Sequence, residues 1–332
     1  MRKLNIAVAG ATGLVGKMFL QVLDERDVPI DCLRAFSSAR SAGQTLEFRG
    51  RQVAVEELAE DSFGRAPMDF CLFAAGSKAS ERFAPLAAEN GIVAIDNSAA
   101  FRLAPGVPLV VPEVNGHLLS GHGGIIANPN CCVAPLVVAL KPLSDALGLE
   151  RVVVTTFQSV SGAGQEGIHE LADGKTQHFP HSIRGNLIPH IDDFGKGGYT
   201  GEELKIIAET RKIMGIPKLP VTATAVRVPV MHCHSLSVNV ELKSDFKLMD
   251  VFRLLEGAQG LKVVDDIDAN MYPMPLFAAG LDLVQVGRIR RDKSRKNCVN
   301  LWIVADNLRK GAATNAVQII ELMMKEEERN EP

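Results

Sequence analysis

The chain opens with a short apolar run, Leu4–Ala9, followed by Gly10-Ala11-Thr12-Gly13-Leu14-Val15-Gly16. Beyond it Met18, Phe19, Val22 and Leu23 recur at helical spacing. Strand, glycine turn and helix in that order begin a βαβ unit. Further strand-like runs follow at 32–36, 70–75, 92–95 and 124–127, with a helical stretch at 79–89. Strands alternating with helices predict a mostly parallel sheet covered on both faces. Around Asn128-Pro129-Asn130 the pattern changes. A helix is expected from about Cys131, with Val133, Leu136, Val137, Leu140 and Leu143 on one face. Pro135 is tolerable in its first turn, whereas Pro142 should kink or end it. Longer strands are then predicted at 151–156, 221–230, 235–242, from 289 onward and at 300–305. Their clustering suggests a second domain of α+β type on a mixed or antiparallel sheet. A strongly helical pattern, 312–325, comes last.

Composition narrows the classes. At roughly 150 residues per domain, 332 residues suit about two domains. With 46% hydrophobic and 23% charged residues the chain can bury a full core, which excludes a disordered or fibrous class. A net charge of -3 gives no field that would draw it to nucleic acid or anionic membrane. No apolar run approaches the roughly 20 residues that span a bilayer. Met1-Arg2-Lys3 before an apolar stretch mimics a signal peptide, but Gly10, Gly13 and Gly16 interrupt that stretch. The six cysteines show neither metal spacing nor a dense disulfide pattern, so no metal is expected and a reduced, cytosolic protein is.

Glycines after a first strand let the backbone turn tightly and approach a pyrophosphate seated on a helix N-terminus. Here the spacing is Gly-x-x-Gly-x-x-Gly, a variant of the dinucleotide fingerprint, in the right strand–turn–helix context. The residues placed against the cofactor are Gly10, Thr12, Gly13, Leu14 and Val15. An NAD site usually carries an acid at the end of the second strand to take the ribose 2′-hydroxyl. The segment after Phe36 instead reads Ser37-Ser38-Ala39-Arg40-Ser41-Ala42-Gly43, without an acid. The hydroxyls of Ser38 and Ser41 with the Arg40 guanidinium suit a 2′-phosphate, which favours NADP over NAD.

Asn130-Cys131-Cys132 falls at the expected start of a helix. A thiol there feels the positive end of the helix dipole, which should lower its pKa below about 8.5, as a nucleophile requires. A cysteine nucleophile needs a proton shuttle, and His232 and His234 are the notable histidines. In a strand both would point to one face, so periodicity does not choose between them. Arg227 is a candidate carboxylate clamp. Arg102 lies where an open α/β sheet binds ligands and could hold an anion. Glu202 and Lys205 share a helix face, where a surface ion pair is the ordinary reading.

Taken together, these strings resemble one family, the aspartate-β-semialdehyde dehydrogenases. The resemblance runs over essentially the whole chain, through 10–16, 38–43, Asn-Pro-Asn-Cys at 128–131, Gln-Ser-Val-Ser-Gly-Ala-Gly at 158–164, Arg-Val-Pro-Val…His at 227–234 and Asp-Asn-Leu…Lys-Gly-Ala-Ala at 306–313. It implies an α/β chain, with an N-terminal Rossmann-like dinucleotide-binding domain over 1–130 and 308–332. A catalytic and dimerisation domain, α+β on a mixed, largely antiparallel sheet, would span 131–307, in a homodimer. The implied reaction is the reversible, NADP-dependent conversion of aspartyl phosphate to aspartate semialdehyde, toward lysine, threonine, methionine and diaminopimelate. By the same resemblance Cys131 is the nucleophile, His234 the acid/base, and Gln158 orients the intermediate. Arg227 would hold the α-carboxylate and Glu202 the amino group. Arg102, Asn130 and Lys205 would handle phosphate and substrate, while Asn307 and the Ser161-Gly162 turn would approach the nicotinamide. A substrate ammonium matched to Glu202 argues against the sister N-acetylglutamyl-phosphate reductase, whose substrate amine is acylated. A non-catalytic NADP-binding sensor is the alternative of another class. One departure is Cys132, where the family usually has Ser or Thr. No role is assigned within 165–190.

Overall fold

The computed structural model describes residues 2–330; Met1, Glu331 and Pro332, the ends of the expected cofactor domain, lie outside the described residues. The chain divides into two compact units, one running through Pro129 and resuming at Ala312, the other Asn130–Gly311.

In the first unit, strand β1 (Leu4–Ala9) leads through the glycine turn into helix α1 (Leu14–Glu25). Strands β2 (Ile30–Ser37), β3 (Thr45–Phe48), β4 (Arg51–Glu57) and β5 (Phe70–Phe73) follow. Then come α2 (Ser77–Glu89), β6 (Val93–Asp96), the short α3 (Pro112–Asn115) and β7 (Ile125–Ala127). The sheet order is β3-β4-β2-β1-β5-β6-β7, parallel except for the β3–β4 hairpin. That hairpin was not expected. Its strands are short, and their alternating inward residues, Leu46, Phe48, Val53 and Val55, pack on the core cluster while their neighbours are exposed.

In the second unit, α4 (Val133–Leu147) leads into β8 (Leu149–Gln158), α5 (Gly164–Asp173), α6 (Gly201–Ile213), β9 (Val221–Arg227) and β10 (His234–Leu242). The chain continues with α7 (Leu248–Glu256), β11 (Leu261–Val263), α8 (Pro275–Ala278), β12 (Val284–Arg291) and β13 (Cys298–Ala305). The six strands form a mixed sheet, β11-β12-β13-β10-β8-β9, in which β12–β13, β13–β10 and β10–β8 run antiparallel. The α/β class with a parallel and a mixed sheet is as expected.

Three expectations need correction. Pro142 does not end α4, which continues to Leu147. Its neighbours Leu136, Val137, Leu140 and Leu143 are fully buried, and each contributes about 1.5–3 kcal/mol, against about 3 kcal/mol for an interior proline. Strand β9 stops at Arg227 rather than 230, and β12 begins at Val284, five residues earlier than expected.

The last helix, α9 (Thr314–Asn330), returns to the first unit. Its Val317, Ile319 and Ile320 join Ile6, Val8, Phe19 and Leu23 in one buried cluster. Arg26, which caps the C-terminal end of α1, makes a two-pronged contact with Glu321, at 2.6 and 2.7 Å.

Candidate active site

In the first unit the glycine turn is shaped by close backbone approaches. Gly10 has φ +85°, and a Cβ there would sit 2.5 Å from the Ala74 carbonyl oxygen. At Gly16 a Cβ would meet the Gly10 oxygen at 2.2 Å, so α1 packs directly on the turn. Gly13 caps α1 with no side-chain acceptor, which leaves the amides of Leu14 and Val15 at a bare positive helix end. Thr12 and Ser37 share a hydrogen bond of 2.8 Å between their hydroxyls. After Ser37 the chain bends tightly, Ser41 N donating to Ser38 O at 2.9 Å, with Ser38 and Arg40 exposed and Ser41 half-buried. Arg102, also in this unit, is buried and holds two backbone carbonyls, Asn128 O through Nε and Asn97 O through Nη2, both at 2.9 Å.

The second unit gathers the thiol site. Cys131 lies in the turn ahead of α4, half-buried, and Asn130 forms that turn. The Asn130 Oδ1 accepts Cys132 N–H at 2.8 Å while its carbonyl accepts Val133 N–H at 2.9 Å. Asn130 is anchored from α6, its own N–H donating to Glu209 at 2.7 Å and its Nδ2 to Glu202 Oε1 at 2.9 Å. Gln158, the last residue of β8, donates to the same Glu202 oxygen at 3.0 Å. Lys205 contacts Asp192 at 2.5 Å and Glu202 at 3.8 Å. The Glu202–Lys205 pair is thus part of the site, because Glu202 is only 5% exposed.

His234, fully buried at the start of β10, places Nε2 3.2 Å from the Cys131 sulfur. His232 lies outside the strand and half-buried. The expected same-face pairing of the two fails because Cys233 has φ +71° and breaks the alternation. At the other ring nitrogen, Nδ1, Ser159 supplies both its N–H and its hydroxyl oxygen, each at 3.1 Å. The Ser159 hydroxyl donates to Asn307 Oδ1 at 3.0 Å, and Cys233 N–H donates to the same oxygen at 3.0 Å. Ser161 completes this cluster against Asn307 at 3.2 Å. At Gly162 a Cβ would lie 2.9 Å from an Arg227 nitrogen and 3.1 Å from His234 Nε2, so a side chain there would press on both.

Arg227 closes β9 and donates to Ser159 O at 2.8 Å. Its buried Nε has no partner among the described residues. Burial pushes its pKa down, and the charges of Cys131 and Glu202 partly restore it. Its guanidinium stands over the ring of Phe179, which packs with Val160, Ile183 and Ile188. Segment 165–190 therefore walls Arg227. Within it the Glu170 carboxylate accepts N–H groups from Gln177, His178 and Phe179 at 2.6 to 3.1 Å. Three partners went unread in the sequence: Ser159, Glu209 and Asp192. Ser159 stands inside the Gln158–Gly164 string, but nothing in that string says what it would touch.

Residues 5–122 match the family model described as semialdehyde dehydrogenase, NAD binding domain, and residues 140–310 match semialdehyde dehydrogenase, dimerisation domain. An aspartate-semialdehyde dehydrogenase of Aquifex aeolicus is 47% identical over 97% of this chain and 98% of its own. The chain belongs to the aspartate-semialdehyde dehydrogenase family. Its fold agrees with that of aspartate semialdehyde dehydrogenase II from Vibrio cholerae, at TM-score 0.94 and 45% identity over 98% of this chain and 99% of that one. The same Vibrio cholerae enzyme, solved in complex with ASA, also gives TM-score 0.94, at 44% identity and the same coverage. No described helix is long and apolar enough to cross a membrane.

Proposed function

We propose that the protein catalyses the reversible, NADP-dependent reductive dephosphorylation of L-4-aspartyl phosphate to L-aspartate 4-semialdehyde. That step serves lysine, threonine, methionine and diaminopimelate biosynthesis. The observation that carries the reading is the 3.2 Å contact between Cys131 and His234, set beside a buried carboxylate, Glu202, and a buried guanidinium, Arg227. A substrate with both an ammonium and a carboxylate matches that pair. The Arg227 Nε, buried without a partner, is a donor awaiting an acceptor, since an unmade buried hydrogen bond costs about 1–3 kcal/mol.

Cys131 passes its thiol proton to His234 Nε2, 3.2 Å away, and attacks the acyl phosphate carbon; the C–O bond to phosphate breaks, phosphate leaves, and the acyl group becomes a thioester on sulfur. Arg102, Asn130 and Lys205 handle the departing phosphate and the substrate. NADPH, when bound, would supply the hydride that reduces the thioester. Gln158 orients the acyl oxygen, and His234 gives a proton from Nε2 to that oxygen and recovers it as the C–S bond breaks to release the aldehyde. Ser159 suits both states of His234. Its N–H satisfies Nδ1 when the proton is on Nε2, and its hydroxyl oxygen can accept when the proton is on Nδ1.

The glycine turn fits a dinucleotide: it offers a bare helix N-terminus and a backbone that no side chain obstructs. Gly10, Thr12, Gly13, Leu14 and Val15 would hold the pyrophosphate side, with Ser161, Gly162 and Asn307 toward the nicotinamide. NADP is favoured over NAD because Ser38, Arg40 and Ser41 offer hydroxyls and an exposed cation with no acid between 37 and 44. We read residues 1–130 and 308–332 as the cofactor domain and 131–307 as the catalytic domain of a cytosolic homodimer. Exposed Ile267, Leu276 and Phe277 on the second unit support the dimer, and six free thiols support the reducing compartment.

The test is absorbance in the NADPH band with purified protein, aspartate semialdehyde and NADP+, with and without phosphate. Phosphate-dependent NADPH formation is expected. No signal from a protein that still binds NADPH would overturn the reading, and N-acetylglutamate semialdehyde would then separate the sister reductase from a sensor.

A further inference from the structure

The sequence shows no metal spacing, yet the fold assembles three metal-ligating atoms at the head of α4. The sulfurs of Cys131 and Cys132 and a ring nitrogen of His234 all lie within 4.8 Å of one another. A tetrahedral zinc ion with Zn–S of about 2.3 Å and Zn–N of about 2.0–2.1 Å holds such ligands about 3.5–3.8 Å apart, inside that spread. Thiolate and imidazole together select Zn2+ and its neighbours over Mg2+ or Ca2+.

The surroundings complete the case. A histidine that binds metal through one nitrogen must protonate the other and find an acceptor for it. In the structure Nδ1 also faces the Ser159 N–H at 3.1 Å, so metal binding at Nε2 requires the ring to move its proton to Nδ1, where Ser159 Oγ, 3.1 Å away and giving its own hydrogen to Asn307 Oδ1, accepts it. The Asn307 oxygen is fixed as an acceptor by the Cys233 N–H. Nε2 can then offer its lone pair on the side of the sulfurs. Cys132 and His234 are buried and Cys131 is half-buried, so an ion enters past Cys131 and keeps a fourth position for water.

We propose that Cys131, Cys132 and His234 form an inhibitory site for a soft divalent cation. Zn2+ replaces the protons of the two thiols, releases both to solvent, and ties up the sulfur that would attack substrate. A serine or threonine in place of Cys132 would supply no second thiolate, so the site is particular to the paired cysteines. The inhibition rests on Cys131 being the nucleophile; the binding does not.

The experiment is a Co2+ titration of the full-length protein, read as the thiolate-to-cobalt charge-transfer band, followed by displacement with Zn2+. The unmodified protein should show a two-thiolate band that Zn2+ removes. Cys132→Ser should halve that band and weaken Zn2+ binding at least about tenfold, the loss caused by removing even an outer-shell partner. No band, or a band indifferent to Cys132→Ser, overturns the site. In the unsubstituted protein, alkylation followed by mass spectrometry gives a second reading. Zn2+ should protect Cys131 from iodoacetamide, and equal labelling with and without Zn2+ counts against the proposal. If the band appears but the protein has no dehydrogenase activity, the metal site stands and the catalytic reading fails.

Discussion

The two regions that carry chemistry are built on opposite plans. The glycine turn is contiguous, made of backbone, and open: its first helical turn is uncapped and Arg40 faces solvent. The thiol site is dispersed, made of side chains, and closed. Cys131 and His234 are 103 residues apart, and Asn130, Gln158, Glu202, Arg227 and His234 are all buried. Water can satisfy the polar groups of the first. Those of the second must satisfy one another, because an unpaired buried polar group is costly. That requirement produces the shared Glu202 oxygen and the three donors on Asn307 Oδ1. A backbone site tolerates most side-chain changes outside its glycines, whereas a closed network couples every member to the rest.

The sharpest way to break this contrast is Cys131→Ala. Turnover should vanish while NADPH titration, followed by fluorescence, stays unchanged; retained turnover would remove Cys131 from the chemistry. His234→Asn should lower kcat by roughly 10²–10⁴, and stopped-flow comparison with His232→Asn should show little loss in the latter. If His232→Asn were the more damaging, the assignment of the shuttle would reverse. On the open region, Arg40→Ala should raise KM for NADPH by about 10- to 100-fold, the worth of a charged hydrogen bond of about 1.5–3 kcal/mol. KM for NADH should hardly move, and parallel rises would refute the 2′-phosphate contact.

The smallest effect concerns the wall of the closed region. Burial works to raise the pKa of Glu170, but the N–H groups of residues 177–179 outweigh it and hold the carboxyl below its ordinary 4.5. A depressed carboxylate adds stability above the unfolded pKa and loses it as pH falls through the folded one. Thermal melts should therefore show the advantage of the native protein over Glu170→Gln at neutral pH shrinking below about pH 4.5. A gap that stays constant through the acid range would mean the carboxylate charge does nothing for the wall.

The same contrast governs what could be read in advance. Local periodicity sufficed for β1, the glycine turn and α1, because each depends on neighbours in the chain. The β3–β4 hairpin went unread although Leu46, Phe48, Val53 and Val55 alternate, because each run is only a few residues long; at Pro142 tertiary burial overrides local cost. Cys131 was legible as a thiol at a helix start. The choice of His234 over His232 came from the family resemblance and not from periodicity, since the geometry depends on one residue, Cys233, adopting positive φ. By spacing alone Glu202 looked like half of a surface ion pair, and only the family resemblance gave it a substrate role. Ser159, Glu209 and Asp192 have no local signal, because their roles exist only through contacts that cross the chain.

The return of α9 to the first unit has a consequence during synthesis. Val317, Ile319 and Ile320 belong to the same buried cluster as Ile6 and Phe19. While a ribosome translates residues 130–311, the early strands wait with that surface uncovered. At about 5–20 residues per second the delay is on the order of ten to forty seconds. The later-encoded unit is thus free to mature first, and the nascent amino-terminal half is the part that needs chaperone cover.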